Sequence, residues 1–324
     1  MKQIHQRELH NFDSTNDMAK LIGDRFLCRQ GTLLFVGAAG MGKSTFTLQM
    51  CCNFALGRDF LGIEPSRALK TLYIQAENDT GDLAEIFQGM CKSLDVRSKT
   101  DESAMLHKNL KIYTEDEATG EEFLSKLSSV AKQERPDLIL IDPLLSYIGG
   151  DINQQEVVSG FLRNGLNPIL RSLNAACILV HHTNKSRAND SYGAAGSAEL
   201  INHPRAVMNL FPSKNKAECD LILEATKRGG RLGLENDLGE PCQSIKIRRG
   251  RPGLPDFTLV GAVSVESEKE ASKEGASKGD EMRARRSKIS GYLTPETSRA
   301  EAIKLIVENE GVSIKTAGRD YDSL

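Results

Sequence analysis

The stretch FVGAAGMGKST, residues 35–45, decides how the rest of the chain is interpreted. Its central part, residues 37–44, fits the pattern G-x-x-x-x-G-K-[ST] of a phosphate-binding loop in full. The apolar run at residues 32–37 predicts a strand before the loop, and residues 43–56 predict a helix after it. In that setting, backbone N–H groups and a helix N-terminus surround phosphate oxygens. The sequence therefore predicts that nucleotide phosphates contact Gly37, Ala38, Ala39, Gly40, Met41, Gly42, Lys43, Ser44 and Thr45.

Side chains of this loop and one carboxylate downstream predict a site for ATP and Mg²⁺. In a phosphate-binding loop the lysine, here Lys43, reaches the β- and γ-phosphates, and the next hydroxyl, here Ser44, ligates the metal. The apolar segment LILID predicts a buried strand that ends in Asp142. A carboxylate in that position holds the hydration shell of the metal. Ser44 and Asp142 are thus the predicted metal-binding residues.

A second carboxylate, Glu77, follows the strand predicted at residues 71–76. At the end of a strand beside the phosphate-binding loop, a glutamate can orient the attacking water as a general base. The alternative is that Glu77 is a solvated charge in a loop, and the residues alone leave the two interpretations open.

Composition and charge leave several function classes open and disfavour others. The chain has 324 residues, of which 39% are hydrophobic, and its formal net charge of −2 argues neither for nor against nucleic acid. Tryptophan is absent and aromatic residues make up 5%, which argues against extensive base stacking. The seven cysteines include no Cys-x-x-Cys pair, which favours reduced thiols over disulfides or a zinc site. With no secretory signal and no membrane-length apolar run, we expect a cytoplasmic protein without a membrane partner.

The order of apolar runs predicts an α/β fold. Short apolar runs alternate with helical stretches up to about residue 182, which indicates a mostly parallel sheet covered on both faces. One of these helical stretches is predicted to run from about residue 154 to 173. Four later runs, at residues 205–211, 219–226, 244–249 and 257–261, predict an antiparallel extension of that sheet. The predicted domains are an N-terminal extension (1–30), the nucleotide-binding domain (31–262), a flexible charged linker (263–290) and a helical tail (291–324).

The motifs between about Gln30 and Arg231 together resemble one group of RecA-like ATPases. The markers are GAAGMGKS, QAEND, LIDPL, HHTNK and YGAAGSAEL, and there is no guanine-reading N-K-x-D motif. This set resembles the RepA-type hexameric replicative helicases of plasmids and phages, which are distant relatives of the DnaB group. The resemblance implies a RecA-like ATPase domain at residues 31–262, a homo-hexameric ring and single-stranded DNA in its channel.

The resemblance also implies roles for individual residues. Lys43 and Ser44 would bind phosphate and Mg²⁺, Glu77 would be the catalytic base, and Asp142 would be the Walker B acid. His182 matches the position that senses the γ-phosphate, and the alternative is a hydrogen-bonded structural histidine. Its neighbour His181 is expected to face the core, because adjacent strand residues point to opposite faces.

The segment EATKRGG ends a predicted strand with two cations, Lys227 and Arg228. In related ring ATPases such cations reach across a subunit boundary to the γ-phosphate of the neighbour, where they stabilise the transition state. Arg228 is the predicted finger and Lys227 its partner. The commoner spacing has one residue between the two cations, which puts Lys227 in more doubt than Arg228. The alternative is a pair of solvated hairpin charges.

Two loops are the predicted contacts with DNA, because the corresponding loops of RecA-like rings line the central channel. They cover residues 146–155 and 183–197, and the second carries Lys185 and Arg187, which suit phosphate contacts without sequence readout. A solvated loop is the alternative for both.

The C-terminal tail resembles part of a helix-turn-helix. Gly311 marks the turn, and Ser313 is expected to cap a second helix that contains Lys315 and Arg319. A docking segment and a DNA-binding module are both compatible with this pattern.

The sequence leads to one main hypothesis for the function and leaves an alternative open. The main hypothesis is an ATP-dependent, ring-forming DNA helicase or translocase in plasmid, phage or mobile-element replication, with a replication initiator or primase as a possible partner. The alternative is a RecA- or KaiC-like regulatory or recombination ATPase that binds DNA or a partner without unwinding. A small-molecule kinase is less favoured, because no segment predicts a substrate lid.

Overall fold

The computed structural model describes most of the chain and divides it into two compact units. The described residues are 3–182, 196–213, 220–236, 238–250, 255–263, 285–291, 293, 297–310 and 312–322. The first unit covers residues 1–263 and the second covers residues 264–324. Within the described residues, no helix has the length and apolar character needed to cross a bilayer.

Eleven strands lie in the described part of the first unit, and nine of them form one sheet. A separate antiparallel pair is made by β1 (Lys20–Ile22) and β2 (Leu27–Cys28). The strands of the large sheet are β3 (Thr32–Gly37), β4 (Thr71–Gln75), β5 (Leu110–Thr114), β6 (Leu138–Asp142), β7 (Ala176–His182), β8 (Ala206–Pro212), β9 (Asp220–Lys227), β10 (Ser244–Arg249) and β11 (Phe257–Ala262). Their order across the sheet is β11-β10-β9-β8-β3-β7-β6-β4-β5.

The helices connect the strands and cover the two faces of the sheet. In the first unit they are α1 (Gln6–His10), α2 (Lys43–Leu56), α3 (Thr80–Ser93), α4 (Asp101–Asn109), α5 (Gly120–Glu134), α6 (Gln155–Ser159), α7 (Asn167–Leu173) and α8 (Glu199–Asn202). Residues Gly160–Leu166 form a π-helical stretch that joins α6 to α7. The helical segment predicted at about residues 154–173 is therefore confirmed over residues 155–173, with wider π-helical turns at its centre. Single-turn 3₁₀ segments occur at Leu144–Ser146 and Gly229–Arg231.

The centre of the sheet is buried on both faces, as expected for parallel strands between helices. Every residue of β3, β4 and β6 is buried. On one face Phe35 of β3 stacks on Phe46 of α2, with ring centroids 5.0 Å apart. On the other face Phe123 of α5 stacks on Tyr147 at 4.1 Å. Two apolar cores, one on each side of the sheet, thus hold β3 and the helix that follows it in place.

The mixed topology agrees with the predicted α/β class, but one strand runs in a different direction from the prediction. β8 pairs parallel with β3, whereas β9, β10 and β11 each pair antiparallel with the preceding strand. The expectation that all four late runs are antiparallel is therefore wrong for β8. β7 ends at residue 182, and β8 begins at residue 206, level with the start of β3. Between these strands the chain therefore returns to the end of the sheet where β3 begins. The antiparallel extension begins one strand later than predicted.

The second unit contains helical residues 285–291 followed by α9 (Arg299–Glu310) and α10 (Ile314–Tyr321). Ile289, Ile306 and Ala317 form its small apolar core. Ser313 caps α10 by accepting a hydrogen bond from the backbone N–H of Thr316, as the helix-turn-helix pattern suggested. The predicted linker is too long at its end, because residues 285–290 are helical. Its residues 264–284 lie outside the described part of the chain.

Candidate nucleotide-binding site

The phosphate-binding loop joins β3 to α2 through two glycines with left-handed backbone conformations. Gly40 has φ 77° and Gly42 has φ 82°, values that residues with a side chain rarely adopt. Gly42 stands immediately before α2, and no side chain caps this end of the helix. The N–H groups of the first turn therefore remain available to an anion, at the positive end of the helix dipole.

The ammonium group of Lys43 is held inside the loop by two acceptors. Its Nζ donates to the backbone oxygen of Ala38 at 2.9 Å and lies 2.9 Å from Nδ1 of His182. Only 5% of Lys43 is exposed. Burial lowers the pKa of Lys43 to about 8, although the nearby carboxylates of Asp142 and Glu77 oppose this shift. Lys43 is thus a cation whose charge is poorly solvated and which gains from contact with phosphate.

Asp142 ends β6 with a buried carboxylate beside the loop. Its Oδ2 accepts a hydrogen bond from the hydroxyl of Tyr73 at 2.7 Å, and the hydroxyl of Ser44 is a second donor. Burial raises the pKa of Asp142, while the bonds from Tyr73 and Ser44 act in the opposite direction. A buried carboxylate in contact with the Ser44 hydroxyl offers oxygen donors of the kind that Mg²⁺ prefers. The residues present fit the metal that the loop motif implies.

Glu77 lies in the turn that follows β4, which ends at Gln75, one residue before the predicted end. The buried amide of Gln75 fixes this turn by accepting from the N–H of Asn78 at 2.7 Å and donating to the oxygen of Asn78 at 2.8 Å. The carboxylate of Glu77 remains exposed and lies 3.9 Å from Nε2 of His182. Glu77 therefore lies at the same edge of the sheet as the loop, with its carboxylate open to solvent.

His182 lies between Lys43 and Glu77. Burial and the positive charge of Lys43 lower the pKa of His182, against the opposing effect of Glu77 and Asp142. The ring is therefore mostly neutral at pH 7, so that Nδ1 accepts from Lys43 and Nε2 carries the proton on the side of Glu77. The preceding residue, His181, is buried.

The structure brings together Lys43, Ser44, Glu77, Asp142 and His182. It separates them from the two cations at the end of β9, which are its last residue, Lys227, and the residue that follows it, Arg228. Val207 of β8 pairs with both Leu34 and Lys227, so Lys227 lies level with the start of β3. The phosphate-binding loop leaves from the opposite end of β3. At about 3.3 Å per residue, Arg228 lies roughly 13 Å from Gly37 along the strand direction. Arg228 and the loop of one chain thus belong to opposite edges of the sheet.

Within its own chain Lys227 contacts backbone oxygens, and its predicted role as a partner of Arg228 at the phosphate of a neighbouring copy stays a prediction. Its Nζ donates to the backbone oxygens of Ile201, Asn202 and Pro204, at 3.3, 2.9 and 2.5 Å. Ile201 and Asn202 lie at the C-terminal end of the short helix α8, where a cation is favourable, and Pro204 follows that helix. All three donors of the ammonium group are used in this way. Lys227 therefore stabilises the connection between α8 and β8.

Arg228, by contrast, points into a group of arginines. It has φ 63°, immediately after β9. Burial lowers the pKa of Arg228, and the positive charges of Arg231, Arg205 and Arg25 add to the shift. No carboxylate forms a salt bridge with Arg228 in the part of the chain that the structure describes. A half-buried guanidinium among like charges is a place where an anion is stabilising.

Sequence reasoning did not identify Tyr73 as part of the site. The signal was present as a tyrosine in the otherwise aliphatic start of β4, two residues before the strand ends.

The predicted DNA contacts Lys185 and Arg187 lie outside the described residues. The other predicted DNA loop is described, and its Asp151 accepts hydrogen bonds from the backbone and side chain of Asn153.

The fold and the loop define the class of RecA-like P-loop ATPases. A family model described as an AAA domain matches residues 5–188, more than half of the chain, and the chain belongs to that family. Among solved structures it is similar to a KaiC-like protein from the hyperthermophilic archaeon Pyrococcus horikoshii OT3, with 15% identity and a TM-score of 0.48 over 72% of this chain and 90% of that one. It is also similar to the RadB recombinase, with 12% identity and a TM-score of 0.46 over 70% and 90% of the two chains. No curated protein is significantly similar in sequence.

Proposed function

We propose that this ATPase forms a homo-hexameric ring that translocates on single-stranded DNA and unwinds duplexes during plasmid, phage or mobile-element replication. What supports the proposal is the position of Arg228 at the edge of the sheet opposite the phosphate-binding loop. An arginine that lacks a carboxylate partner among the described residues is suited to an anion from outside the chain. The loop of a second copy, loaded with ATP, supplies such an anion.

The residues of the loop edge suggest how hydrolysis proceeds. When ATP binds, Lys43 exchanges Ala38 and His182 for the β- and γ-phosphates. Ser44 and Asp142 would hold Mg²⁺, and the bound metal would supply neutralisation of the phosphate charge.

Three further groups act at the γ-phosphate, two from the same copy and one from its neighbour. Glu77 orients the attacking water, and the ring of His182, released from Lys43, reports the γ-phosphate through the proton on Nε2. Arg228 of the neighbouring copy stabilises the charge that develops in the transition state. Hydrolysis of each ATP therefore needs residues from two copies of the chain.

The channel loops convert hydrolysis into movement along DNA in this proposal. His182 ends β7, and the segment with Lys185 and Arg187 follows directly, so a change at the γ-phosphate reaches a DNA contact within a few residues. Contacts by these cations would be to backbone phosphates and would weaken with salt. A replication initiator or a primase is the expected partner that loads the ring.

The direct test is ATP-dependent unwinding of a forked DNA duplex by the full chain. We expect the wild-type protein to unwind and to hydrolyse ATP faster with single-stranded DNA, and Lys43→Ala to do neither. DNA-stimulated hydrolysis without unwinding would replace the helicase by the alternative, an ATP switch that binds DNA. Hydrolysis that is indifferent to DNA would contradict both.

A further inference from the structure

We propose that Arg249, the last residue of β10, binds the phosphate chain of the nucleotide held by the loop of its own chain. The inference rests on the proposed ATPase function and deepens it by naming a second cation at the same site. It concerns binding in cis, whereas Arg228 acts on a neighbouring copy.

The course of β10 brings its end to the loop. β8 is parallel to β3, β9 is antiparallel to β8, and β10 is antiparallel to β9. β10 therefore runs in the same direction as β3, and both strands end at the same edge. A Cβ atom built on Gly42 would lie 3.5 Å from Cζ of Arg249 and 3.6 Å from its Nε. The guanidinium group of Arg249 thus lies beside Gly42, the residue immediately before α2.

The end of β10 is fixed in this position by the strand beside it. Arg249 pairs with Phe257 of β11. The amide of Gln49 in α2 donates to the oxygen of Phe257 at 3.1 Å and accepts from its N–H at 2.7 Å. The Phe257 ring packs edge-on against Phe46 of α2, with centroids 5.4 Å apart. The helix that follows the phosphate-binding loop, α2, therefore also fixes Phe257 and, through it, the end of β10 that contains Arg249.

Asp256, the residue before Phe257, is also bound to α3. Ser93, the last residue of that helix, donates from Oγ to Oδ2 of Asp256 at 2.6 Å. The residue next to Phe257 is thus also anchored, and the position of the Arg249 backbone relative to the loop is set by two helices.

The charge of Arg249 is available for a ligand. Its neighbour Arg248 donates from Nε to Oδ1 of the buried Asp220 at 2.7 Å. Arg249 is exposed, and no carboxylate pairs with it anywhere in the described ranges. With Lys43 on one side of Gly42 and Arg249 over it, two cations flank the start of α2. A guanidinium at this place can donate two parallel hydrogen bonds to phosphate oxygens.

The test is the affinity of the full chain for three probes, measured by titration calorimetry: ATP, ADP and inorganic tripolyphosphate. We expect Arg249→Ala to weaken all three about tenfold, because it removes one charge-assisted contact to phosphate. Arg249→Gln keeps hydrogen-bonding capacity without the charge and should also weaken all three. Arg171→Ala, which removes an exposed arginine of α7, is the matched control and should leave every affinity unchanged.

The possible results separate this inference from the proposed function. Unchanged affinities in both Arg249 variants would overturn the inference and leave the function intact. Weaker ATP binding with unchanged tripolyphosphate binding would also overturn it, since the guanidinium would then contact the base. If the wild-type chain bound no ATP, the proposed function would be wrong and this inference with it. Thermal unfolding of each variant shows whether a loss of affinity reflects a loss of folding.

Discussion

At the scale of single residues, the site is organised by hydroxyl and amide groups that stand behind the charged ones. The hydroxyl of Tyr73 orients the carboxylate of Asp142, and the amide of Gln75 fixes the turn that carries Glu77. Both Tyr73 and Gln75 are buried side chains. Such supporting contacts hold reactive groups in a productive geometry and are part of what makes a site effective.

Replacing Tyr73 by phenylalanine tests this support. Tyr73→Phe keeps the buried ring but removes the donor to Asp142, which should lower the free energy of unfolding by about 1 kcal/mol. We also expect a higher Mg²⁺ concentration at half-maximal ATP hydrolysis, because the carboxylate is less well oriented. Tyr113→Phe is the control. Tyr113 lies on the edge strand β5, and the substitution removes its hydroxyl, which donates to Glu134. An identical Mg²⁺ dependence in the two variants would show that Tyr73 has no role at the metal site.

The sequence indicated which residues could bind phosphate, but it did not indicate what else contacts them. The spacing of Gly37, Gly42 and Lys43 is enough to predict the loop, because the motif depends on backbone conformation and one cation. The neighbours of these cations lie on other elements, since Lys227 contacts backbone oxygens at residues 201–204 and Arg249 lies beside Gly42. Local pattern carries no information on such contacts, so it predicts neither the hydrogen bonds of Lys227 nor the position of Arg249 beside the loop.

At the scale of elements, one carboxylate ties the starts of two parallel strands to the N-terminal segment. Asp137, just before β6, accepts from Arg29 at 2.5 Å and Arg67 at 2.8 Å, and from the N–H of Lys70 before β4 at 3.0 Å. Burial acts to raise the pKa of Asp137, but the Lys70 hydrogen bond and the two arginines outweigh it and lower the pKa. Asp137 thus stabilises the sheet most when it is ionised.

Asp137→Asn should therefore destabilise the protein in a pH-dependent way. Because the folded pKa is lowered, the contribution is present above the unfolded pKa, about 4, and is lost as the pH falls through the folded value. We expect the variant to unfold about 2 kcal/mol more easily at pH 7, with a difference that narrows below pH 4. Urea unfolding at several pH values measures this, with exposed Asp116→Asn as the control. A constant difference across that range would contradict the assignment.

The elements were more predictable than their directions. The strand and helix that flank the phosphate-binding loop have the predicted bounds, because the loop motif and the apolar runs mark both of them. The direction of β8 was not predictable in this way, since a run of apolar residues has the same pattern in a parallel and an antiparallel strand. Direction is set by the connection, residues 183–205, whose sequence has no clear helical period.

At the scale of the whole molecule, the proposed catalytic site is shared between two copies of the chain. One edge of the sheet carries the loop with Lys43, and the other carries Arg228. In a ring each boundary can pair the loop of one copy with the arginine of the next, and rotation closes such a head-to-tail arrangement. Exchange of subunits between two inactive variants tests this arrangement directly.

The decisive measurement is the ATP hydrolysis rate of Lys43→Ala and Arg228→Ala, each alone and mixed in equal amounts. Alone, Lys43→Ala lacks phosphate binding in every site, and Arg228→Ala binds ATP but lacks the transition-state cation in every site. In the mixture, some boundaries combine an intact loop with an intact Arg228 from the neighbour. We predict that the mixture hydrolyses ATP well above the sum of its components. A mixture as inactive as its components, or an Arg228→Ala variant that hydrolyses ATP at the wild-type rate, would contradict the shared site.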